Sequence, residues 1–300
     1  FKRSMLIKGS ITALVTPMNP KGDLDYYSLE NLINFQIESG ISGLVAVGTT
    51  GESATIDFED HIKLIEFFVK IVSGRVSVIA GTGANSTEEA LHLTKEAKNS
   101  GADAALLVSP YYNKPPQEGI YRHHMKIADE VDLPQILYNV PSRTASFIEP
   151  ETVSELSHHQ NIIGIKDATG DMKNHSKVLR LCKDVIDRKK FFLYSGDDFS
   201  SLQFMKMGGH GTISVTSNVV PKIVSEICNY IESDFSKAKE LDDSLKNINN
   251  CLFCESNPIP VKWALHLMGL IQEGIRLPLV ELNDSYKELL KNSLSDLGLI

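Results

Sequence analysis

The stretch Ile162-Ile163-Gly164-Ile165-Lys166 is an apolar run that ends on a lysine. It is short for a helix and shows no polar alternation, the character of a parallel strand buried on both faces. Further runs repeat the theme at residues 11–16, 44–48, 76–81, 104–109, 135–139, 191–196 and 212–216. Each gives way to a polar or glycine-rich segment and then, for most, to a helical pattern. Asp25 caps one such helix, with Leu29, Leu32, Ile33 and Ile37 on a single stripe and Gly40 as its stop. Ser86 with Glu89 three residues on reads as a capping box, and Gly101 closes that helix. Pro150 suits a first helical turn after a loop over 141–149.

Strands spaced about 20–35 residues apart describe βα units, and eight such units close into a (β/α)8 TIM barrel. A doubly wound sheet is the alternative, because periodicity does not separate a closed sheet from an open one. After Asn218 the pattern is helical through Leu299, with no linker or low-complexity tract between. The expected organisation is a barrel over residues 5–217 and a C-terminal helical extension over 218–300 packed on it. Residues 1–4, ahead of Met5, read as an added remnant, and no secretion signal follows them.

Composition narrows the function classes. Of 300 residues, 42% are hydrophobic and 23% charged, enough apolar material for a large core and too much for a disordered chain. Thirty basic against 38 acidic residues give a net charge of −8, with no basic cluster, which argues against a nucleic-acid binder. No run of about 18 apolar residues signals a membrane span. Four cysteines (182, 228, 251 and 254) suit reduced thiols in a cytoplasmic protein.

In a barrel, chemistry sits at the C-terminal ends of the strands. There Lys166 loses hydration at the end of its apolar run, and a neutral amine is the nucleophile that Schiff-base formation with a ketone needs. Tyr138 ends the preceding strand and is the nearest candidate general acid/base. Taken alone, a snorkelling lysine and an interior tyrosine would look the same. Gly48-Thr-Thr-Gly-Glu52 offers backbone N–H groups and two hydroxyls to an anion such as a carboxylate, or is an ordinary βα turn. Gly81-Thr-Gly-Ala-Asn-Ser86 lacks the third glycine of a dinucleotide fingerprint. Arg143 near the same mouth can clamp a second carboxylate or pair with a surface acid. Cys251-x-x-Cys254 has no second pair, so no metal site is expected. The doublets His123-His124 and His158-His159 are expected in solvent.

At these residues the chain resembles the pyruvate-dependent class I aldolases, the N-acetylneuraminate lyase family, and within them the dihydrodipicolinate synthase family. The matching stretches are Gly9-Ser-Ile-Thr-Ala-Leu-Val-Thr-Pro17, Val47-Gly-Thr-Thr-Gly-Glu-Ser-Ala-Thr55, Val78-Ile-Ala-Gly-Thr-Gly-Ala-Asn85, Pro110-Tyr-Tyr-Asn113 and Leu137-Tyr-Asn-Val-Pro-Ser-Arg-Thr144. They continue with Ile162-Ile-Gly-Ile-Lys-Asp-Ala-Thr-Gly170, Ser195-Gly-Asp-Asp198, Gly208-Gly-His-Gly211 and Asn257-Pro-Ile-Pro-Val-Lys-Trp263. The match keeps one register over nearly the whole chain, with a small insertion between Thr169 and Phe192.

The resemblance implies a lyase that condenses pyruvate with L-aspartate 4-semialdehyde toward diaminopimelate and lysine. It implies no cofactor beyond a covalent Schiff base on Lys166. Tyr138, Thr49 and Tyr112 would form a proton relay, Tyr112 serving a neighbouring subunit of a homodimer or homotetramer. Thr50 would hold the pyruvate carboxylate and Arg143 the semialdehyde carboxylate, while Gly196 and Ile213 would line the lysine side. In members inhibited by L-lysine, the effector positions correspond to Ser53, Ala54, His61, Asn85, Glu89 and Tyr111. Phe58 departs from the histidine that some of these carry, so partial or weak inhibition is expected. The alternatives are an N-acetylneuraminate lyase-like enzyme or a sugar-acid aldolase of the same family, and, in another class, a non-catalytic barrel. N-acetylneuraminate lyases typically have Ser-Thr at Thr49-Thr50 and lack the arginine of Pro141-Ser-Arg143.

Overall fold

Eight parallel strands close on themselves: β1 (Gly9–Ala13), β2 (Gly43–Ala46), β3 (Ser77–Gly81), β4 (Ala104–Val108), β5 (Gln135–Asn139), β6 (Ile162–Asp167), β7 (Phe192–Ser195) and β8 (Gly211–Ser214). The first strand pairs with both the second and the eighth, so the sheet is a barrel and not a doubly wound sheet. This computed structural model describes residues 7–300, and the expectation for residues 1–4 lies outside the described residues.

The strands lack polar alternation because both faces are buried. Val45 joins Ile11, Ile79, Leu106, Ile136, Tyr138, Tyr194 and Ile213 in a cluster drawn from seven strands, which is the barrel interior. Its neighbours Leu44 and Ala46 pack outward into the layer under the helices. Period two still operates, hidden by apolar residues on either side.

One irregularity decides where the lysine points. Ile162 and Ile165 both pack in the outer layer, and residues three apart on a regular strand face opposite ways. Between Gln135 and Ile136 the register slips, from Gln135 opposite Ile162 to Ile136 opposite Gly164, leaving Ile163 as an extra residue. A bulge of this kind reverses the phase of everything after it. Gly164 and Lys166 therefore share the interior phase of Ile136 and Tyr138.

The helices follow their sequence signals. Asp25 caps Tyr26–Glu38 by accepting the Ser28 N–H, and Ser86 caps Thr87–Asn99 by accepting the Glu89 N–H. Proline opens Pro150–Leu156. The segment expected as a loop over 141–149 instead begins with a one-turn helix, Pro141–Thr144, also opened by its proline. The helix Pro221–Ser233 follows the eighth strand and packs against β1. Helices Phe235–Ser244, Lys246–Leu252, Ile259–Leu267 and Asp284–Asp296 come after it, and their buried side chains share one core with the first half of the barrel. Among the described residues no helix is long and apolar enough to cross a membrane.

Candidate active site

Tyr138 and Lys166 lie directly opposite each other on adjacent strands. The Lys166 Nζ sits over the tyrosine ring, 4.2 Å from its centroid, and both residues are buried. Among the described residues no carboxylate pairs with this nitrogen. Gly196, just past β7, closes the other side. A Cβ at 196 would lie 2.7 Å from Lys166 Cε and 2.9 Å from Ala168 Cβ, closer than carbon atoms approach. Only glycine leaves the lysine stem its place. Ile213 is buried in the same interior cluster as Tyr138.

The floor of the pocket is the turn after β2. Val47 adopts φ +52° and Glu52 φ +60°, left-handed values that a β-branched residue such as valine rarely takes. Between them the backbone folds tightly: Glu52 N–H donates to Thr49 O at 3.1 Å and Ser53 N–H to Gly48 O at 3.2 Å. The Thr50 hydroxyl oxygen accepts from Asn257 Nδ2 at 2.9 Å, which leaves its proton available to an anion. Thr49, Thr50, Tyr138 and Lys166 together line a cavity of about 40 Å³.

That cavity shares Thr49, Ser53, Gly83 and Val108 with a larger one of about 300 Å³. The larger space is walled by Ser53, Ala54, His61, Glu89 and Tyr111, five of the six positions assigned to an effector, and by Arg143. Asn85 is not on its wall; its carbonyl accepts from Asn113 Nδ2 at 2.9 Å. Burial pushes the His61 imidazole below its ordinary range, and its Nε2 lies 2.7 Å from Gly81 O. Burial and the Glu89 charge push the Tyr111 phenol up. Phe58 stacks on His92 at 4.5 Å on the rim of this space. Arg143 donates to Asn257 O at 3.2 Å.

Tyr112 stands apart. It is 86% exposed with φ +73°, and it lines neither cavity. The four expected catalytic residues are thus brought together only in part: Lys166, Tyr138 and Thr49 line one cavity, and Tyr112 projects outward.

One sequence expectation about side chains needs correcting. His123 and His124 are not solvated: they are 4% and 0% exposed, because their helix, Gln117–Glu130, turns that face onto the barrel. Burial pushes His123 down to about 4. Of the other pair His158 is exposed, and His159 Nε2 lies 3.2 Å from Asp129. The cysteines are free thiols, and among the described residues no group of three or more His, Cys, Asp or Glu gathers as a metal would require.

Sequence reasoning also missed the supports of the turn. The Glu52 carboxylate is buried and pairs with Lys262, and its other oxygen accepts the Arg276 N–H at 3.1 Å. The signal was present in the quoted stretches 47–55 and 257–263, but nothing in either indicates the other as its partner.

Comparison with known proteins fits this geometry. The family model described as the dihydrodipicolinate synthetase family matches residues 6–297. A Pseudomonas aeruginosa protein named 4-hydroxy-tetrahydrodipicolinate synthase is 52% identical over 98% of this chain and 100% of its own. The crystal structure of the Acinetobacter baumannii dihydrodipicolinate synthase complexed with pyruvate has a TM-score of 0.95 at 51% identity, covering 98% of this chain and 100% of that one. A dihydrodipicolinate synthase from Cyanidioschyzon merolae with lysine bound superposes with a TM-score of 0.94 at 36% identity, over 98% and 99% of the two chains. With its barrel closed around a lysine and a tyrosine, this chain belongs to the dihydrodipicolinate synthetase family.

Proposed function

We propose that the chain is a Schiff-base lyase that condenses pyruvate with L-aspartate 4-semialdehyde to 4-hydroxy-tetrahydrodipicolinate, in a cytoplasmic route to diaminopimelate and lysine. The observation that carries this is the Lys166 amine, buried over the Tyr138 ring with no carboxylate paired to it among the described residues, in a cavity edged by Thr49 and Thr50. The relatives named above, at about half identity over the whole chain, support the substrate assignment.

The Lys166 amine adds through its nitrogen lone pair to the ketone carbon of pyruvate, and loss of water from the carbinolamine leaves the Schiff base. Tyr138, relayed by Thr49 and by Tyr112 of a neighbouring subunit, supplies the proton that the departing hydroxyl needs. Loss of a methyl proton then gives the enamine, whose carbon attacks the aldehyde of the second substrate. The amine of that substrate displaces Lys166 by attacking the Schiff-base carbon, closing the ring and regenerating the enzyme. One water leaves overall, and no electrons change hands. Thr50 and the neighbouring backbone N–H groups hold the pyruvate carboxylate, and Arg143 holds the carboxylate of the semialdehyde. Gly196 and Ile213 keep Lys166 in place. The lysine supplies the electron sink itself, so the chemistry calls for no further cofactor.

The outward Tyr112 fits a homodimer, paired into a tetramer, in which each subunit completes its neighbour's relay. The larger cavity, with Ser53, Ala54, His61, Glu89 and Tyr111 on its wall and Asn85 beside it, fits L-lysine as a weak inhibitor, Glu89 pairing with an ammonium. Assaying product formation with pyruvate plus aspartate semialdehyde, and pyruvate release from N-acetylneuraminate or from sugar-acid aldol substrates, tests the assignment. Condensation with the semialdehyde and no cleavage of the others is the expected result. Cleavage without condensation would assign the chain to a different branch.

A further inference from the structure

The turn that carries Thr49 and Thr50 is held by more than its own two backbone hydrogen bonds. Both of its ends, Val47 and Glu52, sit in left-handed backbone conformations that cost free energy for non-glycine residues. What opposes that cost comes from the far end of the chain. Lys262 reaches in with its Nζ to the Glu52 carboxylate and to Thr16 O, the latter at 3.0 Å. The Thr16 hydroxyl in turn donates to Gly51 O at 2.7 Å. Asn257, five residues before Lys262, holds the Thr50 hydroxyl from the same side. The pair is closed off from water, with side-chain exposures of 5% for Lys262 and 0% for Glu52.

We propose that the buried Lys262–Glu52 ion pair, with Asn257, is a positioning device that fixes the Thr49–Thr50 turn for the pyruvate carboxylate. The inference rests on the reading of that turn as the pyruvate carboxylate site. A buried ion pair is weak grounds for stability, since an apolar pair of the same shape is often as stable. It does fix geometry. Both carboxylate oxygens of Glu52 are committed, one to Lys262 and one to Arg276 N–H, and the Lys262 amine is committed to Glu52 and Thr16 O. The ion pair itself thus touches the pyruvate turn and not Arg143, which meets this segment only through the Asn257 backbone carbonyl.

The experiment compares Lys262→Met, Glu52→Gln, the double variant and, separately, Asn257→Ala in steady-state kinetics and in borohydride trapping of pyruvate. The expected result is a KM for pyruvate raised roughly tenfold to a hundredfold in the ion-pair variants, as for a small misplacement of a binding group. The KM for aspartate semialdehyde stays within about twofold, and saturating pyruvate still traps on Lys166. The double variant resembles the singles, because the pair acts as a unit. Asn257→Ala removes one uncharged hydrogen bond and raises the pyruvate KM about three- to tenfold; it keeps the test decisive if the ion-pair variants do not fold. Folded variants with a lower Tm and an unchanged pyruvate KM, or with both KM values raised equally, overturn the proposal. If the wild type itself fails to trap pyruvate, it is the function reading that falls.

Discussion

Lys166 and Lys262 are buried to the same degree, 5% and 4% exposed, and differ in what faces the amine. Lys262, in the seam between the barrel and the C-terminal helices, is met by the Glu52 carboxylate and a backbone carbonyl. Burial pushes its ammonium down, and the Glu52 charge opposes that push. Lys166, in the barrel interior, is met by an aromatic face, a glycine and a cavity. A buried amine with its ion partner is a structural element. A buried amine with open space beside it is free to meet an electrophile, as the proposed function requires of Lys166.

The sharpest break in that comparison comes from exchanging each lysine for methionine. Lys166→Met abolishes turnover while leaving the unfolding free energy within about 1 kcal/mol of wild type, since no ion pair is lost. Lys262→Met strands a buried carboxylate and lowers stability by about 3–5 kcal/mol in denaturant unfolding, with turnover still measurable. Equal stability losses in the two variants would erase the distinction. Gly196→Ala drives a methyl group into the Lys166 stem, and kcat falls roughly a hundredfold with the fold intact by circular dichroism. Arg143→Ala raises the KM for aspartate semialdehyde by about one to two decades and that for pyruvate far less, the loss of a charged hydrogen bond being worth about 1.5–3 kcal/mol. The smallest effect lies deep in the same interior. Tyr194 donates to Ile7 O at 2.8 Å, and Tyr194→Phe costs about 1 kcal/mol of stability with no change in kcat.

How much of this the sequence discloses depends on range. Strands buried on both faces announce themselves as continuous apolar runs, so the eight strands and the helices capped by Asp25 and Ser86 were legible. Lys166 and Tyr138 were legible because strand ends in a barrel all point at one mouth. The bulge at Ile163, which turns Lys166 inward, was not. Apolar residues stand on either side of it, and a slip of phase leaves no mark on a run that does not alternate. The Glu52–Lys262 pair joins positions 210 residues apart, and no local pattern encodes such a contact. His123 and His124 misled for a related reason: a polar side chain on a helix is assumed solvated until the packing of that face is known.

The central claim is that Lys166 and no other residue forms the covalent bond with pyruvate. Reducing the enzyme with borohydride in the presence of pyruvate, digesting it, and locating the added mass by tandem mass spectrometry tests this directly. The account predicts a single reduced pyruvate adduct on the peptide containing Lys166, absent from Lys166→Met and unchanged in its site in Lys262→Met. An adduct on another lysine, or trapping that survives Lys166→Met, would contradict it.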